Sequence, residues 1–467
     1  MKILLINCPI KLNSPPIHVP TGLAYIARVL LEDGHTVSVL DINGWRYDQK
    51  TVSAKLKEYS DVEVVGISGL ITTYGFQKWL IAEVKKAVPK AVIISGGGAA
   101  TSCPELLFAN TALDIAVIGE GEITIKELVR SLADHRPLDD IRGICFRSNG
   151  SMKKNAPREL IPNLDSLPLP AYELFPIERY LKNPVMLSSK RSMNFFTGRG
   201  CPYRCKFCYH IFGRGRIRLR SVENMLEEIR FLKKRYQIDF LAIYDDNTTV
   251  DKNRLRKFCQ LIGKENLVWV GYGRVDSVDE ETLRLMKAAN CKAIGYGIES
   301  GSQRILDNMD KGIKVEQAKR AIALTRKSGI YAATSFILGY PGETAQTIQE
   351  TVDFCIEMNL PVVDFYFAQA YPGTPLYEEA RQRGLIMNEE EYILELESAD
   401  KFVINFTDFS DEELLDYKKK VIRQVLQGCI RQYPLQSIKK FLSFILDRSK
   451  NRRSLLSVFK YLLQDGG

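Results

Sequence analysis

Short apolar runs alternate with amphipathic stretches along most of the chain, and that alternation leaves few folds open. "KILLINC", "TVSVLD", "EVVGISG", "AVIISGGG" and "DIAVIGEGE" fall within residues 1–150, separated by segments such as "GLAYIARVLLEDG" and "GFQKWLIAEVKKAVP". Strands read as unbroken apolar runs when helices cover both faces of a sheet, so residues 1–150 predict an α/β domain with a doubly wound parallel sheet. Residues 191–390 repeat strand then helix six times, at "MNFFTG", "DFLAIYDD", "VWVGYGRV", "KAIGYGIES", "YAATSFILG" and "VVDFYFAQA". Six consecutive units predict a parallel barrel or partial barrel. Val222, Met225, Leu226 and Ile229 form one helical core stripe, and Ile348, Val352, Cys355 and Ile356 another. The proline-rich residues 151–190 read as a linker across two domains, and residues 391–467 as a C-terminal helical region.

Composition narrows the setting. With 45% apolar and 26% charged residues the chain reads as soluble and globular. "MKILLINCPI" is too short an apolar run for a signal peptide, and no window approaches a membrane span. A cytoplasmic location with reduced cysteines is therefore expected. The net charge of +9 is concentrated in residues 421–467, which argues against a protein-wide nucleic-acid surface. The tail "SIKKFLSFILDRSKNRRSLLSVFKYLL" alternates apolar and basic residues. Two readings fit: amphipathic helices packed on the barrel, or a peripheral surface that meets anionic lipid or guides an acidic or lipid-like substrate.

Chemistry-bearing residues gather at strand ends, where open α/β sheets and barrels bind ligands. In the first domain these are Ser68-Gly69-Leu70, Gly96-Gly97-Gly98 and Gly119-Glu120-Gly121-Glu122, either tight turns or a backbone bed for a flat or phosphate-bearing ligand. In the second they are Asp245, Asp246, Arg274, Asp276, Glu299, Ser300, Gly339 and Glu343. "GRGCPYRCKFCYH" follows the first barrel strand and packs Cys201, Cys205 and Cys208 together. Three thiolates suit zinc, with His210 as a cramped fourth ligand, or an iron–sulfur cluster with one iron left open. A CxxC redox pair would leave Cys201 unexplained. The other seven cysteines are scattered and read as buried thiols.

The Cys201-x-x-x-Cys205-x-x-Cys208 spacing after a first barrel strand resembles the signature of radical S-adenosylmethionine enzymes. That resemblance implies a 4Fe-4S cluster whose fourth iron is chelated by S-adenosylmethionine, and reductive cleavage to a 5′-deoxyadenosyl radical. It also implies an electron donor such as flavodoxin or ferredoxin. "PTGLAYIARVLLEDGHTVSVLD", "VVGIS", "IGEGE", "LDSLPLPAYELF", "RLRSVENMLEEI", "GIESGSQRIL" and "FILGYPGET" extend it, over residues 1–390, to the branch with an N-terminal cobalamin-binding domain. The implied fold is a Rossmann-like cobalamin domain followed by a partial (β/α)6 TIM-type barrel.

Carried over by position, the resemblance puts Phe207 and the Gly339–Glu343 turn near the adenine, and Glu299 and Ser300 at the ribose and amino acid of the cofactor. It puts Arg274 at the carboxylate and Asp245 with Asp246 at the motif after strand two. Each of these has a barrel-end cap or salt bridge as its alternative. Ser68, Leu70, Gly96, Gly97 and Glu120 would lie at the cobalamin bed. The usual DxHxxG loop is missing, and only His18 stands in its place. "GGGAAT" also departs from the commoner form, in which proline and histidine follow two glycines. The leading expectation is cobalamin-dependent radical C-methylation of a small-molecule or lipid-like substrate. The alternative is a non-methylating cyclase, dehydratase or other redox-neutral relative; a non-catalytic cobalamin or metal sensor would need no open cluster site. The methylthio-transferring branch usually brings three further N-terminal cysteines, but around Cys8, Cys103 and Cys145 the chain follows the cobalamin pattern.

Overall fold

The computed structural model describes residues 1–10, 15–183, 191–396 and 399–437. The basic tail segment discussed above lies outside them from residue 438 onward. The first domain is a sheet of β1 (Lys2–Asn7), β2 (Thr36–Asp41), β3 (Val64–Gly69), β4 (Val92–Gly97), β5 (Ile115–Val117), β6 (Ile144–Ser148) and β7 (Ser151–Lys154). Its order is β2-β1-β3-β4-β5-β6-β7, with β1–β5 parallel and β6 and β7 antiparallel. Both faces are covered, as the apolar runs predict. Ile3 and Leu5 enter one apolar core and Leu4 and Ile6 the other. The expected boundary at residue 150 falls inside the β6–β7 hairpin. Asn149 and Gly150, at φ 50° and 79°, form its tight turn, so this domain extends past β7.

Residues 155–183 bind the two domains together. Tyr172 and Tyr180 are fully buried in a core shared by the first sheet and the barrel. The Tyr172 hydroxyl donates to Glu228 on the helix Val222–Tyr236, and Asp165 accepts from the backbone N–H of Ser221 at 2.9 Å. Asn194 reinforces the joint: its amide accepts from Val19 N–H at 2.8 Å and donates to Val19 C=O at 3.1 Å, as a neighbouring strand would.

The barrel sheet comprises β8 (Ser192–Phe195), β11 (Phe240–Ile243), β12 (Val268–Gly273), β13 (Cys291–Glu299), β14 (Tyr331–Leu338) and β15 (Asp364–Phe367), all parallel in spatial order β15-β14-β13-β12-β11-β8. Its edges do not pair, so the barrel is a half-barrel. The outer face packs on helices through residues such as Ile294, Tyr296 and Phe336. The inner face is unlike a closed barrel, whose interior is filled. It offers small residues at Gly295, Gly297, Ala333 and Ser335, and exposed phenol rings at Tyr272, Tyr331 and Tyr366. Both predicted helical stripes face inward, and all seven scattered cysteines are buried. C-terminal helices Glu389–Glu395 and Asp411–Gln432 follow the barrel.

Candidate active site

The three clustered cysteines lie where the barrel's first unit departs from a plain strand–helix step. After β8 the chain forms a two-stranded antiparallel hairpin, β9 (Gly198–Cys201) and β10 (Arg216–Leu219), and the cysteine loop closes it. Cys201 ends β9 opposite Arg216. Gly200 adopts φ 86°, and a Cβ there would stand 2.3 Å from the Arg216 carbonyl, so only glycine fits. Cys201 and Cys205 are buried and Cys208 half-buried. Burial pushes the Cys208 thiol up to about 12, so iron binding here must displace protons. No three His, Cys, Asp or Glu side chains among the described residues close around a single metal ion. The donor set fits a cluster: three thiols on one loop, with cations behind them. Arg274 Nη1 lies 3.9 Å from Cys205 Sγ, and its guanidinium stacks 3.5 Å from the Tyr203 ring centroid. The same guanidinium bonds Asp276 through two nitrogens at 3.1 Å and the Lys311 carbonyl at 2.8 Å. Its fork is thus occupied by protein.

Lys311 is the residue that sequence reading missed. Its ammonium is buried, 2.8 Å from Glu299 and 5.7 Å from the Phe207 ring centroid. Burial opposes its charge, but Glu299 and the Cys205 sulfur outweigh that and hold its pKa above the ordinary lysine value. Glu299 sits at φ 72°, unusual for a non-glycine residue, beside a β-bulge between Gly297 and Glu299. Such strain persists where surroundings hold it, and it clusters at ligand sites. Phe207 meets Tyr340 edge to face at 6.4 Å, putting the cysteine loop against the Gly339–Glu343 turn.

Other predicted residues are placed differently. Asp245 accepts from the Thr197 N–H at 2.6 Å and from the Thr197 hydroxyl, which ties the ends of β8 and β11 and takes up its carboxylate. Asp246 instead reaches solvent in the mouth, where crowding by protein still raises its pKa. The Ser300 hydroxyl is shared with Thr351 at 3.2 Å and the Ser302 N–H at 3.1 Å, a barrel-end cap. His18 packs edge-on against Tyr244 at 4.7 Å and does not line the first domain's cleft.

Glu343 carries a testable electrostatic property. It is buried, accepts from the Gly339 N–H at 2.5 Å through one oxygen, and has no partner for the other. Burial pushes its carboxyl up to about 8. The folded state therefore keeps a proton that the unfolded chain has lost, between the ordinary glutamate value and about pH 8. Stability should fall as pH rises through that window and level off above it. Glu343→Gln should flatten this slope, worth on the order of a few kcal/mol between pH 5 and 9. Urea unfolding at pH 5, 7 and 9 checks it, and equal slopes in both proteins would refute it.

The first domain meets the barrel around a cleft of about 290 Å³. Gly66, Ser68, Gly96, Gly97 and Gly119 form its floor at the strand ends, and Phe196, Arg199, Ile211 and Phe212 from the barrel form its roof. Nothing lies within 4 Å of where a Cβ on Gly96 or Gly119 would be, so a flat ligand can approach the backbone directly. Gly97, at φ 89°, would instead drive a Cβ to 2.8 Å from the Gly69 carbonyl. Two substitutions should therefore part company. Gly96→Val should keep stability yet occupy the cleft and weaken corrinoid binding, while Gly97→Ala should destabilise by about 1–3 kcal/mol. Thermal melts and cobalamin titration separate the two. Equal stability loss would show that Gly96 has no ligand space.

Leu70 does not line this cleft, though Ser68 and both glycines do. Glu120 lines it, but its carboxylate is spent between domains: Arg199 at 2.6 Å, Arg218 at 2.7 Å and the Ile161 N–H at 2.7 Å. Arg199 also pairs with Glu122 at 2.5 Å. No lining residue is histidine, cysteine or methionine, so among the described residues no side chain stands ready as a lower cobalt ligand. Tyr209, next to Cys208, accepts from the Ser102 hydroxyl at 2.6 Å and donates to the Gly98 carbonyl at 3.3 Å, which fastens the cysteine loop to the segment after β4. The cleft and the cysteine loop thus share the wall formed by Ile211 and Phe212.

Comparison with known proteins agrees with this division. The Radical SAM superfamily model matches residues 195–355 and the B12 binding domain model residues 8–129. An uncharacterized methyltransferase of Pyrococcus horikoshii is 34% identical over 397 residues, covering 83% of this chain and 84% of the relative. The cytidylyl-2-hydroxyethylphosphonate methyltransferase of Streptomyces wedmorensis is 28% identical over 447 residues, covering 83% of each. The fold matches the radical S-adenosylmethionine methyltransferase TsrM from Kitasatospora setae, solved with cobalamin and a [4Fe-4S] cluster. The TM-score is 0.70 at 21% identity, over 82% of this chain and 78% of that one. The chain is an enzyme of the radical S-adenosylmethionine superfamily, in the branch that pairs its 4Fe-4S barrel with an N-terminal cobalamin-binding domain.

Proposed function

We propose that this enzyme methylates an unactivated carbon of a small-molecule or lipid-like substrate held on the inner face of the half-barrel. The observation that carries the reading is the shared wall: Ile211 and Phe212 separate the cobalamin cleft from a cysteine loop three residues away in sequence. Bound there, the cofactors supply a carbon-centred oxidant and a transferable methyl group. The chain's own part is positional. Cys201, Cys205 and Cys208 hold the cluster, and Glu299 and Lys311 orient the amino-acid end of S-adenosylmethionine. Arg274 serves as a positioning residue, fixing Tyr203, Lys311 and Cys205 relative to one another. Tyr272, Tyr331 and Tyr366 offer apolar ring faces with polar tips to the substrate.

Lys311→Met should raise the dissociation constant for S-adenosylmethionine tenfold or more, about 1.5–3 kcal/mol for a lost charge-assisted contact. Iron content should not change. Unaltered affinity would make Lys311 a structural partner of Glu299 only.

The reaction itself is tested with S-adenosylmethionine bearing a deuterated methyl group. Supplied with cobalamin, a reductant and candidate substrates, the enzyme should yield a product heavier by one labelled methyl. A product formed without label would move the enzyme to the non-methylating cyclase or dehydratase reading.

A further inference from the structure

Residues 198–220 carry seven basic side chains and no acidic one. The hairpin sorts them by face. Arg199 and Arg218 turn toward the first domain and pair with Glu120 and Glu122, and Arg220 pairs with Glu228 at 2.6 Å. Arg204, Lys206, Arg214 and Arg216 have no carboxylate partner among the described residues, and Arg204, Lys206 and Arg216 are exposed. Glu378 and Glu379 share a shallow groove with Lys206 and Arg214 but lie nearest their own helix's Arg381 and Arg383, at 3.5 and 3.4 Å.

The placement of these cations is specific. Arg204 and Lys206 flank Cys205 in the chain, and Arg216 is the cross-strand partner of Cys201. Arg204 lies against Gly215 and Arg216 against Gly213, two residues at positive φ that let the loop fold back beneath them. Each exposed cation is thus one covalent or ladder step from a cluster ligand. The cysteines themselves are buried or half-buried.

We propose that Arg204, Lys206 and Arg216 form the docking surface for an acidic one-electron carrier protein, which reduces the cluster through the thin shell of the cysteine loop. One electron leaves the reduced carrier and enters the cluster, and no atom is exchanged. Unpaired charges at a rim act mainly on encounter rate, and electron-transfer complexes are small and transient, so a patch of this size is sufficient. The inference rests on the cluster and not on methyl transfer, so it stands if the methylation reading fails.

The test uses the reconstituted full chain and the triple variant Arg204→Gln, Lys206→Gln, Arg216→Gln. Cluster bleaching is followed by stopped flow with two reductants, a reduced acidic flavodoxin and reduced methyl viologen, which is a small cation. The variant should lose at least about tenfold in second-order rate with flavodoxin at low salt, and the difference should shrink as salt screens it. With methyl viologen its rate should be unchanged or higher. Labelled flavodoxin should also bind the cluster-free variant more weakly than the cluster-free parent, read by fluorescence anisotropy. An unchanged flavodoxin rate would overturn the proposal, including the case in which the patch serves an anionic lipid surface. Equal losses with both reductants would overturn it too, because they would mean a damaged cluster. Should the triple variant assemble poorly, Arg204→Gln and Arg216→Gln singly should each show a smaller effect of the same sign.

Discussion

Alanine at Cys201, Cys205 or Cys208 is expected to leave a folded protein without its iron and without S-adenosylmethionine cleavage. In the proposed site each thiolate is one of the three anchors, and a cluster held by two would be exposed to solvent and lost. Folding should survive, because the hairpin is held by the β9–β10 ladder and by the bonds from Lys206 N–H to Met309 C=O at 2.9 Å and from Leu376 N–H to Lys206 C=O at 3.1 Å. Alanine at Cys259 or Cys429 should leave iron untouched, since both are buried in apolar core far from the loop in sequence. Iron analysis with visible absorption decides. Full iron in any of the three cysteine variants would remove that residue from the ligand set.

Glu120→Ala should be the most damaging single change outside the cluster. It strips the shared carboxylate from Arg199 and Arg218, whose side chains are only 14% and 13% exposed, and leaves the Ile161 N–H unsatisfied. Removing one member of a buried ion-pair network leaves uncompensated charge and costs about 3–5 kcal/mol. Because the network spans the domain seam, unfolding in urea should also lose cooperativity, with the first domain and the barrel separating into two transitions. A loss below about 1 kcal/mol in a single transition would show that solvent reaches these charges and that the apolar core around Tyr172 and Tyr180 carries the seam alone.

What the sequence revealed depended on distance along the chain. The cysteine loop stood out because its three thiols are local and their spacing carries a chemical meaning. The two α/β domains were legible because doubly covered strands need unbroken apolar runs. The β6–β7 hairpin could have been read from Asn149-Gly150, a dipeptide suited to a turn with two positive φ values. The β9–β10 pairing could not, since "RIRL" is half charged and its partner "GRGC" holds two glycines. Glu120 was legible as part of a motif, but its arginine partners are 79 and 98 residues away, and nothing local marks a carboxylate as spent. Lys311 shows the converse. A lysine in "MDKGIK" reads as surface until β13 and the short helix Gln303–Asn308 after it bring it onto Glu299 beside the cysteine loop. Asp245 and Ser300 likewise sit where the motif places them, and only the side-chain partners show that their polar atoms face protein.

One measurement bears most directly on the pairing of cleft and cluster: the anaerobic absorption spectrum and metal content of the full chain after reconstitution with iron, sulfide and cobalamin, followed by desalting. The structure predicts a protein that keeps both chromophores, one corrinoid for each 4Fe-4S cluster, with the corrinoid lost in Gly96→Val and the cluster lost in Cys205→Ala, each independently of the other. A protein that retains its iron but releases cobalamin as readily as Gly96→Val does would contradict the account.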